Sequence, residues 1–217
     1  MDWTDPAAAQ AWIDADGMGD LLALPRRISA ALVATEGRDP ALVVDAGAGP
    51  GAYLEVFLSE YPELRGVWLD ISPTMLEVGR RRLAEFRERV TFLTADMTAL
   101  EAAGVPDGAD AVTSSRASHH LDRAGLEAFY RAAASRLRAG GWLFNLDHTH
   151  PGDAWDRRYR SIRPRFIRRD PAEPQHPHTY PLPSVSDHTA AMEAAGLTEI
   201  EIGWKAFYTV LLIARRA

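Results

Sequence analysis

Two sets of residues have the types and spacing to do chemistry. The first is Asp45 followed by Gly47, Gly49 and Gly51 at alternate positions in "LVVDAGAGPGAYLEVF". Glycines at this spacing let the backbone turn tightly and bring main-chain N–H groups against a ligand, and a helix starting just beyond adds partial positive charge. A dinucleotide fingerprint is met only if Ala52 stands in for its last glycine. No G-x-x-x-x-G-K-[ST] loop occurs, and the only lysine is the distant Lys205, which argues against a triphosphate. Asp45 would repel a pyrophosphate but attract an ammonium group. Asp70, placed 19 residues beyond Gly51, can accept both hydroxyls of a ribose. Together the two acids suit a ligand with an amino-acid head and a nucleoside tail.

The second set is histidine-rich. His119 and His120 follow one apolar segment, and "NLDHTHP" places Asp147, His148 and His150 after another. His148 could act as a general base with Asp147 orienting it, and convergence with His119 would make a histidine pair facing a hydroxyl or amine. The alternatives are pocket-shaping or packing for His119 and His120, and a polar strand end at the surface for His148. His148-x-His150 and His176-x-His178 alternate, which puts two imidazoles on one side only of an extended chain. Seven arginines lie between Arg157 and Arg169, with Tyr159 and Phe166 among them. They form either a solvated basic face or a selector for an anionic partner.

The elements that must position these residues alternate. Two helical segments are expected over residues 5–36, with Asp5 as a cap, Pro6 at the first helical position and a kink or break at Pro25. Then "ALVVDAG", "GVWLDIS", "TFLTADM", "ADAVTSS" and "WLFNLDH" read as strands. Helices intervene at "AYLEVFLSEYP", at "PTMLEVGRRRLAEFRERV" from Pro73, and from the Asp122 cap to a stop at Gly140. The rhythm lapses over residues 148–184, which is rich in Arg, Pro and His. It resumes with the helix "SDHTAAMEAAG" and two runs, "TEIEIGW" and "AFYTVLLIARR", close enough for a hairpin. Alternation of this kind implies an α/β domain.

The 217 residues are 47% apolar and carry a net charge of −6, an acidic balance that speaks against general nucleic-acid binding. Cysteine is absent, so thiolate chemistry is excluded. The acidic start "MDWTDP" lacks the pattern of a secretion signal, and no apolar run approaches a membrane span, so a cytoplasmic protein is expected.

On these motifs the chain resembles the class I S-adenosylmethionine-dependent methyltransferases. "VVDAGAGPG" is similar to their first motif, "VWLDIS" to the second, "TADM" to the third, "DAVTSSRASHHL" to the fourth-strand motif, and "LRAGGWLFNLD" to the approach to the fifth strand. The resemblance covers residues 40–147 well and 185–217 in outline. It implies a Rossmann-like, mostly parallel sheet with a reversed last strand and helices on both faces, in one domain. That domain comprises a helical cover (1–39), a donor-binding core (40–147), a lid or substrate insertion (148–184), and a closing helix and hairpin (185–217).

By the same resemblance, S-adenosylmethionine is the cofactor. Asp45, Gly47, Ala48, Gly49 and Gly51 would hold its methionine portion, Asp70 the ribose, and Ile71, Asp96 and Met97 the adenine, with Ser114 completing the set. His119 and His148 are the catalytic candidates. His120, Arg116, Tyr159, Arg160 and Trp12 are the candidates for the acceptor, a small and anionic metabolite taken at O or N. Catechol-type relatives hold a metal with acids, but Ser114, Ser115 and Arg116 stand where the first would fall, so no metal is assigned. A monomer or homodimer is expected. The competing classes are a protein of this fold that binds without methylating, an NAD-linked oxidoreductase and an RNA methyltransferase.

Overall fold

The computed structural model describes residues 2–7, 9–10, 19–166 and 182–217. Its sheet has seven strands: β1 (Leu42–Ala46), β2 (Arg65–Asp70), β3 (Val90–Thr94), β4 (Ala109–Ser115), β5 (Leu137–His148), β6 (Leu197–Ala206) and β7 (Thr209–Arg216). They lie in the order β3-β2-β1-β4-β5-β7-β6. β1 to β5 are parallel, while β7 runs antiparallel to both β5 and β6. The expected mostly parallel sheet with a reversed last strand is therefore observed.

Helices on both faces explain why the central strands are apolar throughout rather than alternating. Val43 belongs to the core packed under α1 (Gly19–Ala34), α2 (Ala52–Glu60) and α3 (Pro73–Arg82), together with Leu22, Phe57 and Met75. Its neighbour Val44 faces the opposite core, shared with Phe129 of α4 (Arg123–Arg136) and Met192 of α6 (Val185–Ala194). Between them, α5 (Asp153–Ile162) follows β5. The strand order reverses between β1 and β4. In such sheets the crevice at the carboxyl ends of the strands beside that point receives ligands.

Local capping sets the entry of the helices that border this crevice. Ser72 accepts the Met75 N–H at 3.4 Å with Pro73 in the first turn of α3, and Asp122 accepts the Gly125 N–H at 2.8 Å before α4. Ser184 and Asp187 form a reciprocal capping box on α6.

Four expectations are corrected. Pro25 lies inside α1 without ending it. The stretch read as one helix from Pro73 divides at Leu83, which is buried, into α3 and a 3-10 helix over Ala84–Arg89. α4 ends at Arg136, four residues before Gly140, because Leu137 already enters β5. Gly140, at φ +68°, instead serves the irregular start of β5, where pairing with β4 shifts register between Ala109 and Ala111. The lapse after residue 148 contains α5. Among the described residues, no helix is long and apolar enough to cross a membrane.

Candidate functional site

A cleft of about 500 Å³ opens at the carboxyl ends of β1, β2 and β4. Its floor is the glycine loop between β1 and α2. Gly47, Gly49 and Gly51 all have positive φ, at +66°, +51° and +81°, a region side-chain-bearing residues rarely adopt. A Cβ on Gly47 would lie 2.6 Å from that of Ala117, whereas none of the described residues comes within 4 Å of one on Gly49. The loop is pinned from three sides. The Ala48 N–H donates to Leu69 O at 2.9 Å, the Trp68 Nε1–H donates to Gly49 O at 3.0 Å, and the Gly49 N–H donates to Asp70 Oδ2 at 2.8 Å.

Asp70 therefore braces the loop while lining the cleft, and its other oxygen accepts the Ser72 N–H at 2.9 Å. Burial raises its pKa, and the N–H groups of Ser72 and Gly49 oppose that shift. Ile71, Asp96 and Met97 line the same cleft as Asp70. Asp96 also accepts the N–H and the hydroxyl of Thr98, both at 2.8 Å, so its role as a local turn-former is present as well.

Two cofactor candidates sit elsewhere than expected. Asp45 is only 1% exposed; it accepts the Thr113 hydroxyl at 2.8 Å and the Leu54 N–H at 3.3 Å, so both oxygens turn into the protein behind the loop. Burial pushes its pKa up to about 7, against the lowering effects of Thr113 and the nearby Arg26. Ser114 is fully buried on the far side of β4, in register with Asn145, and Ser115 lines the cleft in its place. Strand alternation decides this, since successive side chains point to opposite faces.

Arg26 was missed. It lies one residue past Pro25 in α1, is buried to 8% exposure, and lines the cleft near Tyr53 and Ala48. No local pattern marks it, because only packing of α1 over α2 brings it there; the Ser29 and Tyr53 hydroxyls, 2.7 Å apart, bind those helices together.

The histidines do converge, though not as the spacing implied. The His119 ring lies 5.3 Å from that of His148 and 4.0 Å from that of His120. Asp147 serves His119 rather than His148, with Oδ1 2.5 Å from His119 Nδ1. It also accepts the backbone N–H groups of His119 and His148 and the Ser118 hydroxyl. Burial opposes ionisation of Asp147, but His119, then His148 and Ser118, outweigh it and hold the carboxyl well below the usual range. The His148 ring meets Thr209 through Nδ1 at 2.9 Å and Tyr208 edge-on at 5.2 Å. His120 lines the cleft with the Trp3 ring edge-on at 5.1 Å, and Arg116 lines it from a left-handed φ of +53° at the end of β4.

Residues 43–141 match the family model described as a methyltransferase domain. An O-methyltransferase family protein from Burkholderia thailandensis superposes with a TM-score of 0.68 at 20% identity, over 92% of this chain and 57% of that one. The class I methyltransferase fold is present. CalS10, an amino pentose methyltransferase from Micromonospora echinaspora, superposes with a TM-score of 0.65 at 21% identity, over 88% of this chain and 90% of its own. Among curated proteins, the ribosomal RNA small subunit methyltransferase H of Rhodococcus opacus is 42% identical over 84 residues, 36% of this chain and 25% of that protein. Its Rhodococcus jostii counterpart is 38% identical over 100 residues, 42% of this chain and 30% of its own. The chain thus spans less than a third of the curated relatives it matches.

Beyond the matched residues, the acceptor candidates scatter. Tyr159 packs edge-on against Phe207 at 5.9 Å, and Arg160 donates to Asp156 at 2.7 Å on α5, so neither lines the cleft. Trp12, His176 and His178 lie outside the described residues. His148 and His150 have different partners, with His150 Nε2 3.2 Å from Asp153. Among the described residues, no group of three or more His, Cys, Asp or Glu side chains could hold a metal ion.

Proposed function

We propose that the chain is an S-adenosylmethionine-dependent methyltransferase that acts on a small molecule through an oxygen or nitrogen acceptor. The observation that carries this is the cleft itself. A glycine floor, the Asp70 carboxylate, the apolar Ile71 and Met97 and the Arg26 side chain all line one cavity of about 500 Å³, within the size range of small-molecule sites. The residues fit the group. Asp70 can accept the ribose hydroxyls, Ile71 and Met97 can flank the adenine, and Arg26 supplies a fork of donors for the carboxylate of the methionine head. Asp45 adds negative potential behind the loop for its ammonium group.

Bound S-adenosylmethionine supplies an electrophilic methyl group on a sulfonium. The chain's own task is to hold the acceptor dry and aligned and to take any proton that must leave. Trp3, Arg116 and His120 form the cleft wall nearest the histidines. His119 and His148, neither of which lines the cleft itself, are the proton acceptors in this assignment. The Asp147 carboxylate orients His119 and stabilises the imidazolium formed there. The acidic balance of −6 supports a small-molecule acceptor over RNA, which needs a basic footprint. The ribosomal RNA specificity in the names of the Rhodococcus relatives is the second reading, because the matched identity lies in those proteins.

Calorimetric titration of S-adenosylmethionine, and separately of NAD(H) and of a short RNA, into protein stripped of bound ligand tests the proposal. Micromolar binding of S-adenosylmethionine is the expected result. Binding of NAD(H) alone would return the loop to a dinucleotide and sink the assignment. Tight RNA binding at physiological salt would replace the small molecule with RNA.

A further inference from the structure

The Asp147–His119 pair does not end at Asp147. Four elements bring a chain of buried polar groups to it: Asn145 and Asp147 from β5, Ser118 from the 3-10 helix Ser118–His120, Tyr130 from α4 and His188 from α6. Asn145 and Asp147 are two residues apart on one strand and so share a face. The Asn145 Nδ2 lies 2.9 Å from Ser118 Oγ and 2.8 Å from the Tyr130 hydroxyl, which in turn lies 2.7 Å from His188 Nδ1.

The polarity of every bond follows from one fact: ionised Asp147 can only accept. Ser118, 2.5 Å away, must therefore donate its hydrogen to Asp147 and accept from Asn145. That requirement turns the amide nitrogen of Asn145 inward. The same nitrogen then donates to Tyr130, whose single O–H is left for His188 Nδ1. His188 must be neutral with its proton on Nε2. Burial independently drives His188 toward the neutral form, with its pKa lowered to about 4. At the other end, His119 must carry a proton on Nδ1 to face Asp147, so that in the neutral ring the lone pair is on Nε2.

We propose that Asn145, Tyr130 and His188 are positioning residues for the Asp147–His119 pair, with hydrogen bonds running outward from the Asn145 amide so that His119 Nε2 is the single site of this array that takes or releases a proton. The functional part rests on the methyltransferase assignment above; the polarity does not. Asn145 Oδ1 and His188 Nε2 are buried with no hydrogen-bond partner among the described residues, a cost that apolar side chains of similar shape would not carry.

Long-range ¹H–¹⁵N spectra of histidine-labelled protein read the tautomers directly. The expected result near neutral pH is a proton on Nδ1 of His119 and a proton on Nε2 alone of His188. A proton on Nδ1 of His188, or none on Nδ1 of His119, overturns the proposal. Tyr130→Phe removes only the hydroxyl, and Asn145→Asp removes the donating amide at nearly constant shape. Both should move the His119 resonances as well as those of His188, with S-adenosylmethionine affinity held within about twofold, since neither residue lines the cleft. Unchanged His119 signals in both variants also overturn it. If a variant fails to fold, the wild-type tautomers still decide. Correct tautomers in a protein that binds no S-adenosylmethionine would refute the function while leaving the network standing.

Discussion

Asp45 and Asp70 end neighbouring strands, yet their surroundings separate their roles. With its pKa near 7, Asp45 is largely protonated at pH 6 in the ligand-free protein. An ammonium group docked nearby favours the ionised form, so ligand binding between pH 6 and 7 should release a proton, and the release should fade above about pH 8. Calorimetry in buffers of different ionisation enthalpy measures this, and an enthalpy independent of buffer would remove Asp45 from the ammonium site. Asp70 faces the cleft directly. Asp70→Ala should weaken S-adenosylmethionine binding by about 1.5–3 kcal/mol, the usual loss for hydrogen bonds to a charged group. Arg26→Met should weaken S-adenosylmethionine roughly tenfold while leaving adenosine unaffected, because adenosine lacks the carboxylate. Equal losses for both ligands would place Arg26 in packing alone.

At the scale of elements, the glycine loop tests how tightly the strand ends are packed. A methyl group at Gly47 meets Ala117 at 2.6 Å, so Gly47→Ala must displace the segment between β4 and His119. That should cost about 1–3 kcal/mol in urea unfolding, on top of the left-handed backbone penalty of about 1–2 kcal/mol, and impair donor binding. Gly49 has a similar φ but open space around it among the described residues, so Gly49→Ala should cost only the left-handed backbone penalty of about 1–2 kcal/mol. Equal effects would mean that the clash at Gly47 is relieved by a small shift. The alternate glycines were legible from spacing, because a strand-to-helix turn needs positive φ. Their inequality was not, since it depends on a residue 70 positions away in the chain.

At the scale of the whole molecule, one buried histidine ties folding to pH. His188 sits in the core beneath α4 and α6, and burial lowers its pKa from 6.5 to about 4. Between those values the unfolded chain binds a proton that the native state refuses. The contribution of His188 to stability is therefore complete above about pH 6.5 and falls as pH drops toward 4, by up to a few kcal/mol. His188→Gln should flatten that slope in urea titrations run from pH 7 to 4; an unchanged slope would assign acid sensitivity to other groups. On the opposite side, S-adenosylmethionine at 100 times its dissociation constant should stabilise the fold by about 2.7 kcal/mol, seen as a raised melting temperature.

The amino-acid sequence determined the alternation of strands and helices, the glycine loop and the Asp70 position, while the reversed last strand was implied only by the family resemblance. Each of the first three rests on local periodicity, turn chemistry or a short motif. Tertiary structure alone decided which face each residue serves. It turned Asp45 and Ser114 inward, set Ser115 and Arg26 in the cleft, and gave Asp147 to His119 instead of His148. It also assembled Ser118, Asn145, Tyr130 and His188 from four separate elements. Hydrogen-bond partners so distant in sequence leave no periodic trace. They exist only where the packing of helices on a twisted sheet brings buried polar groups within reach of one another.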